Sequence, residues 1–312
     1  MADLASYIIR RILFSIPVIV TATLIVFLML YLTPGDPIKY IVPPRAGPDV
    51  IEQVREQYGL NKPIWEQYGI FLWRLIHGDL GSSITVWQGA SVSSLIAMKL
   101  PNTLMLMGLG LVISYSIAVP LGVISALKHN SWIDRAGMVF TLIAYAMPPF
   151  WLGIIFLMVF AVRLGWFPIQ GASGGLINLA LPALTLGVGN AALMTRIMRS
   201  SMLEVIRQDY ITQLRSRGLP EREVIFKHAL KNALLPVITV LGLDIGWFVG
   251  GSVVVEEVFQ WPGIGQLMTS AIFNKDIPLV QGAILVLAIF VIMGNLVADI
   301  LYAWADPRVR LG

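Results

Sequence analysis

Six blocks of the chain are apolar along their whole length and leave no hydrophilic helix face. Five of them contain no Asp, Glu, Lys, Arg or His: 12–35, 100–127, 136–162, 164–195 and 277–298. The sixth, 232–255, carries Asp244 as its single charged residue. About 20 apolar helical residues cross a hydrocarbon core of about 30 Å. The pattern therefore predicts an all-α polytopic membrane protein with six transmembrane helices.

Polar and helix-breaking residues set the expected helix bounds. The six helices are expected at about 9–32, 100–126, 137–162, 178–198, 233–255 and 279–303. Pro34 and Pro37 end the first helix. Pro148-Pro149 should kink the third, which a bundle tolerates where neighbouring groups satisfy the freed carbonyls.

These bounds divide the chain into three parts. Residues 1–33 form an N-terminal segment with the first helix, 34–99 an extracytoplasmic segment, and 100–312 a core that contains a polar segment, 199–232. Within the second part we expect a short helix from Pro48 to Tyr58 and an interfacial, aromatic-rich stretch from Ile64 to His77.

The distribution of basic residues predicts that both termini are cytoplasmic. If six helices cross, the Lys and Arg residues near the N-terminus, in 128–135, in 196–231 and near the C-terminus share one side. Most of the others lie in the long segment 39–99, and long segments cross largely regardless of charge. The first apolar run is too long for a signal peptide and lacks an A-x-A site, so we expect a retained anchor.

Composition excludes several functional classes. Hydrophobic residues make up 57% of the chain and charged residues 13%, against about 25% charged in soluble proteins. The absence of cysteine excludes disulfides, thiolate catalysis and cysteine-ligated metals. The three histidines are far apart in sequence, so no local metal site is expected. The net charge of +4 suits contact with membrane lipid rather than nucleic acid.

Catalytic motifs are also missing from the sequence. There is no G-x-x-x-x-G-K-[ST], G-x-S-x-G, H-E-x-x-H or G-x-G-x-x-G. Asp244 and Asp299 lie in different predicted helices without a supporting local motif. We therefore expect no catalytic residues, no bound cofactor and no nucleotide site on this chain.

Asp244 stands out because it lies in the middle of a predicted crossing, where a charge must be paired or hydrated. It either faces a polar pathway or is a protonated or paired contact between helices. Gly242, Gly246 and Gly250 form a small-residue ridge on the same helix, which suits an interface or a pathway. Asp299, near the end of the last helix, is interpreted as structural.

The polar segment 199–232 predicts a helix, a glycine and a second helix. Residues 200–216 mix aliphatic and charged positions, as an amphipathic helix does, and Gly218 suits the left-handed residue after its end. A short helix over 221–232 follows Pro220. Such a unit either lies on anionic lipid or forms a rigid knob for a cytoplasmic partner.

Short motifs spread along the whole chain resemble one family. They are Leu32-Thr33-Pro34-Gly35-Asp36-Pro37, Gly78-Asp79-Leu80-Gly81, Ser131-Trp132-Ile133-Asp134-Arg135, Arg199-Ser200-Ser201-Met202, Asp209-Tyr210, Gly218-Leu219, Asn232-Ala233-Leu234-Leu235-Pro236, Gly250-Gly251-Ser252-Val253-Val254-Val255-Glu256, Trp261-Pro262-Gly263-Ile264-Gly265, Asn295-Leu296-Val297-Ala298-Asp299 and Asp306-Pro307-Arg308. The chain resembles the inner-membrane permease subunits of binding-protein-dependent ABC importers, in the dipeptide, oligopeptide and nickel branch.

The resemblance implies a MetI-like type I importer fold and a coupling helix that seats in an ATPase subunit. The coupling residues it implies are Asp209, Tyr210, Arg215, Arg217, Gly218 and Leu219. The chain departs from the branch's Thr-Ala-Arg-Ala-Lys-Gly by reading Gln213-Leu214-Arg215-Ser216-Arg217-Gly218. The implied partners are a second homologous permease subunit, two ABC ATPase subunits and an extracytoplasmic substrate-binding protein. The implied mechanism is alternating access driven by ATP.

The resemblance leaves the cargo open. Di- and oligopeptides are the first interpretation, with nickel chelates or glutathione as alternatives. A stand-alone secondary transporter is the alternative of another class, and it would need ionisable residues inside the membrane. Asp244 is the one candidate for that role in the sequence.

Overall fold

The structure is a computed structural model that describes residues 4–32, 38, 42, 45–57, 60–171 and 174–305. Its helices are α1 (Leu4–Leu32), α2 (Pro48–Gln57), α3 (Ile64–Ile76), α4 (Val92–Leu127), α5 (Trp132–Ala146), α6 (Pro149–Phe156), α7 (Leu176–Ile206), α8 (Asp209–Ser216), α9 (Glu221–Glu223), α10 (Leu230–Phe259), α11 (Ile264–Phe273) and α12 (Ile277–Ala305). Two π-helical stretches, Leu157–Arg163 and Val224–Ala229, continue α6 and α9.

The all-α fold expected from the sequence is confirmed. Within the described residues, five helices are long and apolar enough to cross a membrane: Ile8–Met29, Val92–Leu127, Leu176–Ile206, Glu221–Phe259 and Ile277–Ile300. A sixth crossing is present if α5 and the segment after it form one span. Pro34 and Pro37, the predicted stop of the first helix, lie outside the described residues.

The third crossing differs from the single kinked helix predicted over 137–162. It starts earlier, at Trp132, because the Ser131 hydroxyl caps the helix by accepting from the Asp134 amide. Its two halves meet at 107°. Met147 and Pro148 are both extended, with ψ of 125° and 141°, so the helix stops and restarts at Pro149.

The predicted helix bounds within the polar segment 199–232 were also wrong. Residues 200–206 do not start a separate amphipathic helix but extend α7, and the break falls at Arg207-Gln208. The extension is stable because Met198, Met202 and Val205 are buried. The helix predicted over 221–232 likewise continues without a stop into α10, so Pro236 lies inside that helix.

One compact unit contains Met105–Trp261 together with the first residues of α1 and α12 from Met293 onward. Here α7 and α10 pack against each other, and α5 and α6 pack on α7. Gly242 of α10 lies so close to Ala298 of α12 that an added Cβ would overlap the alanine side chain. At Gly250, two turns along α10, an added Cβ would meet no atom within 4 Å.

The second unit contains Ile12–Leu104 and Pro262–Ile292. The Tyr68 hydroxyl of α3 lies 2.8 Å from the Thr23 hydroxyl of α1. The Gln281 side chain of α12 donates to the Val26 carbonyl of α1 at 2.8 Å. α11, an apolar ten-residue helix, lies in this unit and was not predicted from the sequence.

Asp276, just before α12, organises the loop that precedes α4. Its carboxylate is buried and accepts the Ser83 hydroxyl and the backbone amides of Ile84, Thr85 and Val86, at 3.0, 3.1 and 3.1 Å. Consecutive amides that converge on one anion form a concave nest. One side chain therefore fixes the course of this loop.

The Gly78-Asp79-Leu80-Gly81 stretch is a tight turn. Gly78 and Gly81 have φ of +73° and +85°, which favours glycine at both ends. Asp79 accepts from the Gly81 amide at 2.9 Å and from Arg74 at 2.7 Å. The hydrogen bond from Arg74 lowers the pKa of Asp79 below its ordinary value.

The contrast between the two α10 glycines gives a test of the packing. Gly242→Ala should lower the free energy of unfolding by about 1–3 kcal/mol, because α10 and α12 must separate to admit the methyl group. Gly250→Ala is the matched control, since its methyl group enters open space. Thermal unfolding of the purified protein in detergent measures both variants; equal stability of the two would contradict the close contact.

Candidate functional site

The candidate site is α8 with the turn that follows it. Gln208 precedes α8 in extended conformation, and Asp209 places a carboxylate in the first turn, where the helix dipole favours negative charge. Ile211 is completely buried. Exposed side chains cover much of the remaining helix surface: Asp209, Thr212, Gln213, Arg215 and Ser216. The helix is therefore amphipathic, with one anchored face and one free face.

The anchored face packs into an apolar cluster at the ends of two long helices. Ile211 shares this cluster with Met202 of α7 and Ala233 of α10, and Leu214 and Leu219 pack against it. The Ser201 hydroxyl donates to the Ala233 carbonyl at 2.9 Å, which ties α7 directly to α10. Displacement of α8 must consequently displace the ends of α7 and α10.

Gly218 ends the helix in a Schellman motif, as the sequence predicted for its position after the helix. Its φ is +79°, and its amide donates to the Arg215 carbonyl at 2.9 Å. The Leu219 amide donates to the Leu214 carbonyl at 3.3 Å, which completes the pair of reversed hydrogen bonds. Arg217, the residue before Gly218, is exposed at the tip.

Two side chains outside the predicted set of coupling residues complete the site. Glu221 accepts two hydrogen bonds from Arg215, at 3.1 and 2.7 Å, and this contact raises the pKa of Arg215. Asn232 donates to the Tyr210 hydroxyl at 2.7 Å. Arg215 is thus held within the chain, whereas Arg217 projects from it. The one sequence feature that could have pointed to Glu221 is its position directly after the turn Gly218-Leu219-Pro220.

The second predicted group, around Asp244, is separate from α8. Asp244 is buried, and it accepts from the Tyr115 hydroxyl of α4 at 2.6 Å and from Asn190 of α7 at 2.9 Å. Asn190 also donates to the Ser114 hydroxyl at 3.2 Å. The carboxylate therefore joins three helices.

Gly242 packs tightly, Gly246 is half-buried and Gly250 is exposed, so the predicted ridge is not one continuous contact.

A buried ion pair joins two of the motifs noted in the sequence. Arg199 of α7 donates to both oxygens of Asp134, at 2.6 and 2.7 Å. Asp134 also accepts from the Asn130 amide at 3.0 Å, and its side chain is only 4% exposed. Sequence reasoning missed this pair because its members are 65 positions apart. It fixes the start of α5 to α7.

Two profiles of known families match the chain nearly end to end. Residues 4–107 match the N-terminal part of binding-protein-dependent transport system membrane components, and residues 118–311 match the binding-protein-dependent transport system inner membrane component. The chain belongs to this family. It is a multi-pass inner-membrane subunit of an ABC importer, a transport subunit that works with other subunits.

Curated relatives in this family cover almost the whole chain. The oligopeptide transport system permease protein AppB of Bacillus subtilis is 45% identical over 98% of this chain and 100% of its own length. A putative peptide permease protein of Brucella suis is 40% identical, and the glutathione transport system permease protein GsiC of Escherichia coli O6:H1 is 38% identical. Both comparisons cover 98% of this chain and 99% of the relative.

A solved structure shows the same fold. A chain of the methionine ABC transporter MetNI, in inward-facing conformations, matches with a TM-score of 0.58 at 19% identity. The match covers 68% of this permease and 97% of that chain. The MetI-like fold implied by the sequence motifs is therefore confirmed.

The ion pair at the start of α5 leads to a stability prediction. Arg199→Gln leaves the Asp134 carboxylate buried without its cation, and the free energy of unfolding should fall by about 3–5 kcal/mol. Arg196→Gln, one turn away on the same helix and exposed, is the control and should change stability little. Thermal unfolding in detergent checks both. An unchanged midpoint for Arg199→Gln would show that the pair contributes nothing.

Proposed function

We propose that this permease imports peptides, and that it forms half of the translocation pathway of its transporter. The observation that carries the proposal is the 45% identity to an oligopeptide permease over 98% of the chain, with a putative peptide permease at 40%. Glutathione is the second candidate cargo, because a permease named for it is 38% identical.

The coupling contact with an ATPase subunit is assigned to the exposed face of α8 and its turn. The residues proposed for this contact are Asp209, Tyr210, Arg215, Arg217, Gly218 and Leu219. They divide by role: Asp209 and Arg217 are exposed and suit direct contact, while Tyr210, Arg215 and Leu219 hold the shape of the segment. Gly218 makes the turn possible because of its positive φ.

The mechanical argument rests on the apolar cluster behind α8. ATP binding draws two ATPase subunits together, and each pushes or pulls on one coupling helix. Since Ile211 is buried between α7 and α10, α8 moves as one body with their ends. The movement of those ends then opens one side of the pathway and closes the other, which is alternating access.

The pathway itself is proposed to run beside α10. Gly250 faces open space, and Gly246 is half-buried on the same side of the helix. Asp244 and Gly242 hold this wall to its neighbours: Asp244 accepts hydrogen bonds from α4 and α7, and Gly242 allows α12 to approach. Asp244 is a positioning residue here, not a proton carrier.

The proposed assembly has four further chains. They are a second homologous permease subunit, two ABC ATPase subunits that hydrolyse ATP, and an extracytoplasmic substrate-binding protein. This permease supplies no catalytic residue, cofactor or metal. The basic residues around both termini and α8 support a cytoplasmic location for them, and the segment 34–99 would then face the binding protein.

A coupling test uses the positive φ of Gly218. Gly218→Val should abolish most ATP-driven uptake, because a β-branched residue costs about 1–2 kcal/mol in left-handed backbone and disrupts the turn. Gly218→Asn, which tolerates that conformation, should retain more uptake. Uptake of a labelled peptide into proteoliposomes measures both variants.

A charge test separates direct contact from shape. Arg217→Glu should lose uptake while insertion and assembly stay normal, because the substitution leaves the helix end intact but reverses the exposed charge. Lys128→Glu is the control, an exposed lysine in another loop on the same side. Normal uptake with Arg217→Glu would refute the assignment of α8 as the coupling contact.

The proposed assembly and cargo are tested by gentle purification from the native membrane followed by mass spectrometry. We expect a second permease and one or two ATPases containing a P-loop, and a binding protein that retains peptides when screened. A chain that purifies alone and transports without ATP would overturn the proposal. A binding protein that prefers a metal chelate would overturn the cargo alone.

A further inference from the structure

A groove between α5 and α7 combines apolar walls with two exposed cations at one end. Its cavity volume is about 230 Å³. The apolar residues that line it are Met138, Val139, Leu142, Ala192 and Leu193. Arg196 lines it from α7, and Tyr145 and Thr141 line it from α5. The groove thus has the chemistry of an amphiphile's site, with a long apolar wall and a charged end.

Arg196 lies where α7 leaves its uncharged stretch. The run 164–195 contains no charged residue, and α7 contributes about 20 residues of it, or about 30 Å of helix. Arg196 is therefore the first charge that follows a membrane-spanning length. Arg199, one turn further on, forms an ion pair with Asp134. The guanidinium of Arg196, in contrast, makes no hydrogen bond or ion pair with any described residue.

Arg135 adds a second cation at the same end. It precedes Met138 and Val139 by one helical turn, so it lies on the stripe of α5 that lines the groove. Arg135 is exposed, and its guanidinium has no hydrogen bond or ion pair to the part of the chain that the structure describes. Trp132, one turn earlier, is 77% exposed, as interfacial tryptophans are. This end of the groove therefore has the composition of the membrane–water interface.

The groove offers too few polar groups for a peptide. The Thr141 hydroxyl already donates to the Met138 carbonyl at 2.9 Å. Of the lining groups, this leaves the Tyr145 hydroxyl and the Arg196 guanidinium to meet a ligand, and a peptide backbone carries an unmet donor and acceptor at each residue. The volume is also below the 300–1,000 Å³ that is typical of sites enclosing a whole small ligand. An acyl chain needs no hydrogen bond and can leave the groove into the bilayer.

We propose that this groove binds an anionic phospholipid from the leaflet on the α8 side. An acyl chain lies along Val139, Leu142 and Leu193, and the phosphate lies between Arg135 and Arg196. Basic pockets between membrane helices on the cytoplasmic side select anionic headgroups in this way. A bound lipid would bridge α5 and α7 on the membrane side, next to the Asp134–Arg199 ion pair. The inference does not depend on the identity of the cargo.

The test is native mass spectrometry of the permease purified in its complex and titrated with phosphatidylglycerol or phosphatidylcholine of identical acyl chains. The wild type should retain phosphatidylglycerol preferentially. Arg196→Gln and Arg135→Gln should each weaken that binding about fivefold, and the double variant about 25-fold. Arg207→Gln, an exposed arginine at the end of α7 and outside the groove, is the control and should bind as the wild type does.

A second variant tests the apolar wall without touching the cations. Leu142→Trp should fill the groove and weaken binding of both lipids while both arginines remain. Equal retention of the two lipids by the wild type, or unchanged binding by the double arginine variant, would overturn the proposal. Displacement of phosphatidylglycerol by a transported peptide at one-to-one stoichiometry would identify the groove as a cargo subsite instead and would equally overturn it.

Discussion

A carboxylate buried among apolar helices must find partners inside the protein, and this requirement organises much of the permease. The chain meets it in three ways. Asp134 is neutralised by the guanidinium of Arg199, Asp244 is held by neutral donors from two other helices, and Asp276 is enclosed by backbone amides. In each case the partners come from distant parts of the sequence, so satisfying one charge also fixes one long-range contact.

The segment proposed for coupling, α8 with its turn, depends on a different kind of contact. α8 has eight residues, too short to be stable alone in water, and it gains its stability from Ile211 in the apolar cluster and from the Schellman motif at Gly218. On its polar side Arg215 is held by Glu221, whereas Asp209, Thr212 and Gln213 are exposed. A short helix that is rigid because of what lies behind it suits the transmission of force, whereas a longer independent helix could pivot on its hinges.

The sequence predicted the fold wherever a local property decided it. Apolar length located the long helices, and the left-handed preference of glycine located the end of α8 at Gly218. Errors arose where distant residues decide the outcome. α7 continues past Arg199 because that arginine donates to Asp134 and because Met202 packs in the same apolar cluster as Ala233 of α10. Neither contact produces a periodic pattern in the sequence. Pro148 and Pro149 predicted a break in the helix. The 107° angle between α5 and the helical segment after it results from the extended conformation of Met147 and Pro148. The six residues proposed for coupling are neighbours in sequence, so their grouping was predictable, whereas the contact of Glu221 with Arg215 became visible only with the fold.

The nest around Asp276 also determines which substitutions this loop can accept. The amide contacts come from the peptide units of Ile84, Thr85 and Val86 and do not involve their side chains, although the Thr85 hydroxyl also donates to the carboxylate at 3.4 Å. Any residue with an amide hydrogen can therefore occupy those three positions without loss of this contact, and proline alone lacks the donor. Position 276 has no such freedom, since one carboxylate oxygen accepts from the loop and the other from the Leu279 amide, and an asparagine would turn its amino group toward one of these donors. In an evolving lineage the loop could thus diverge in composition while its backbone path stays the same. The constraint on that path lies with Asp276, nearly two hundred positions away in the sequence.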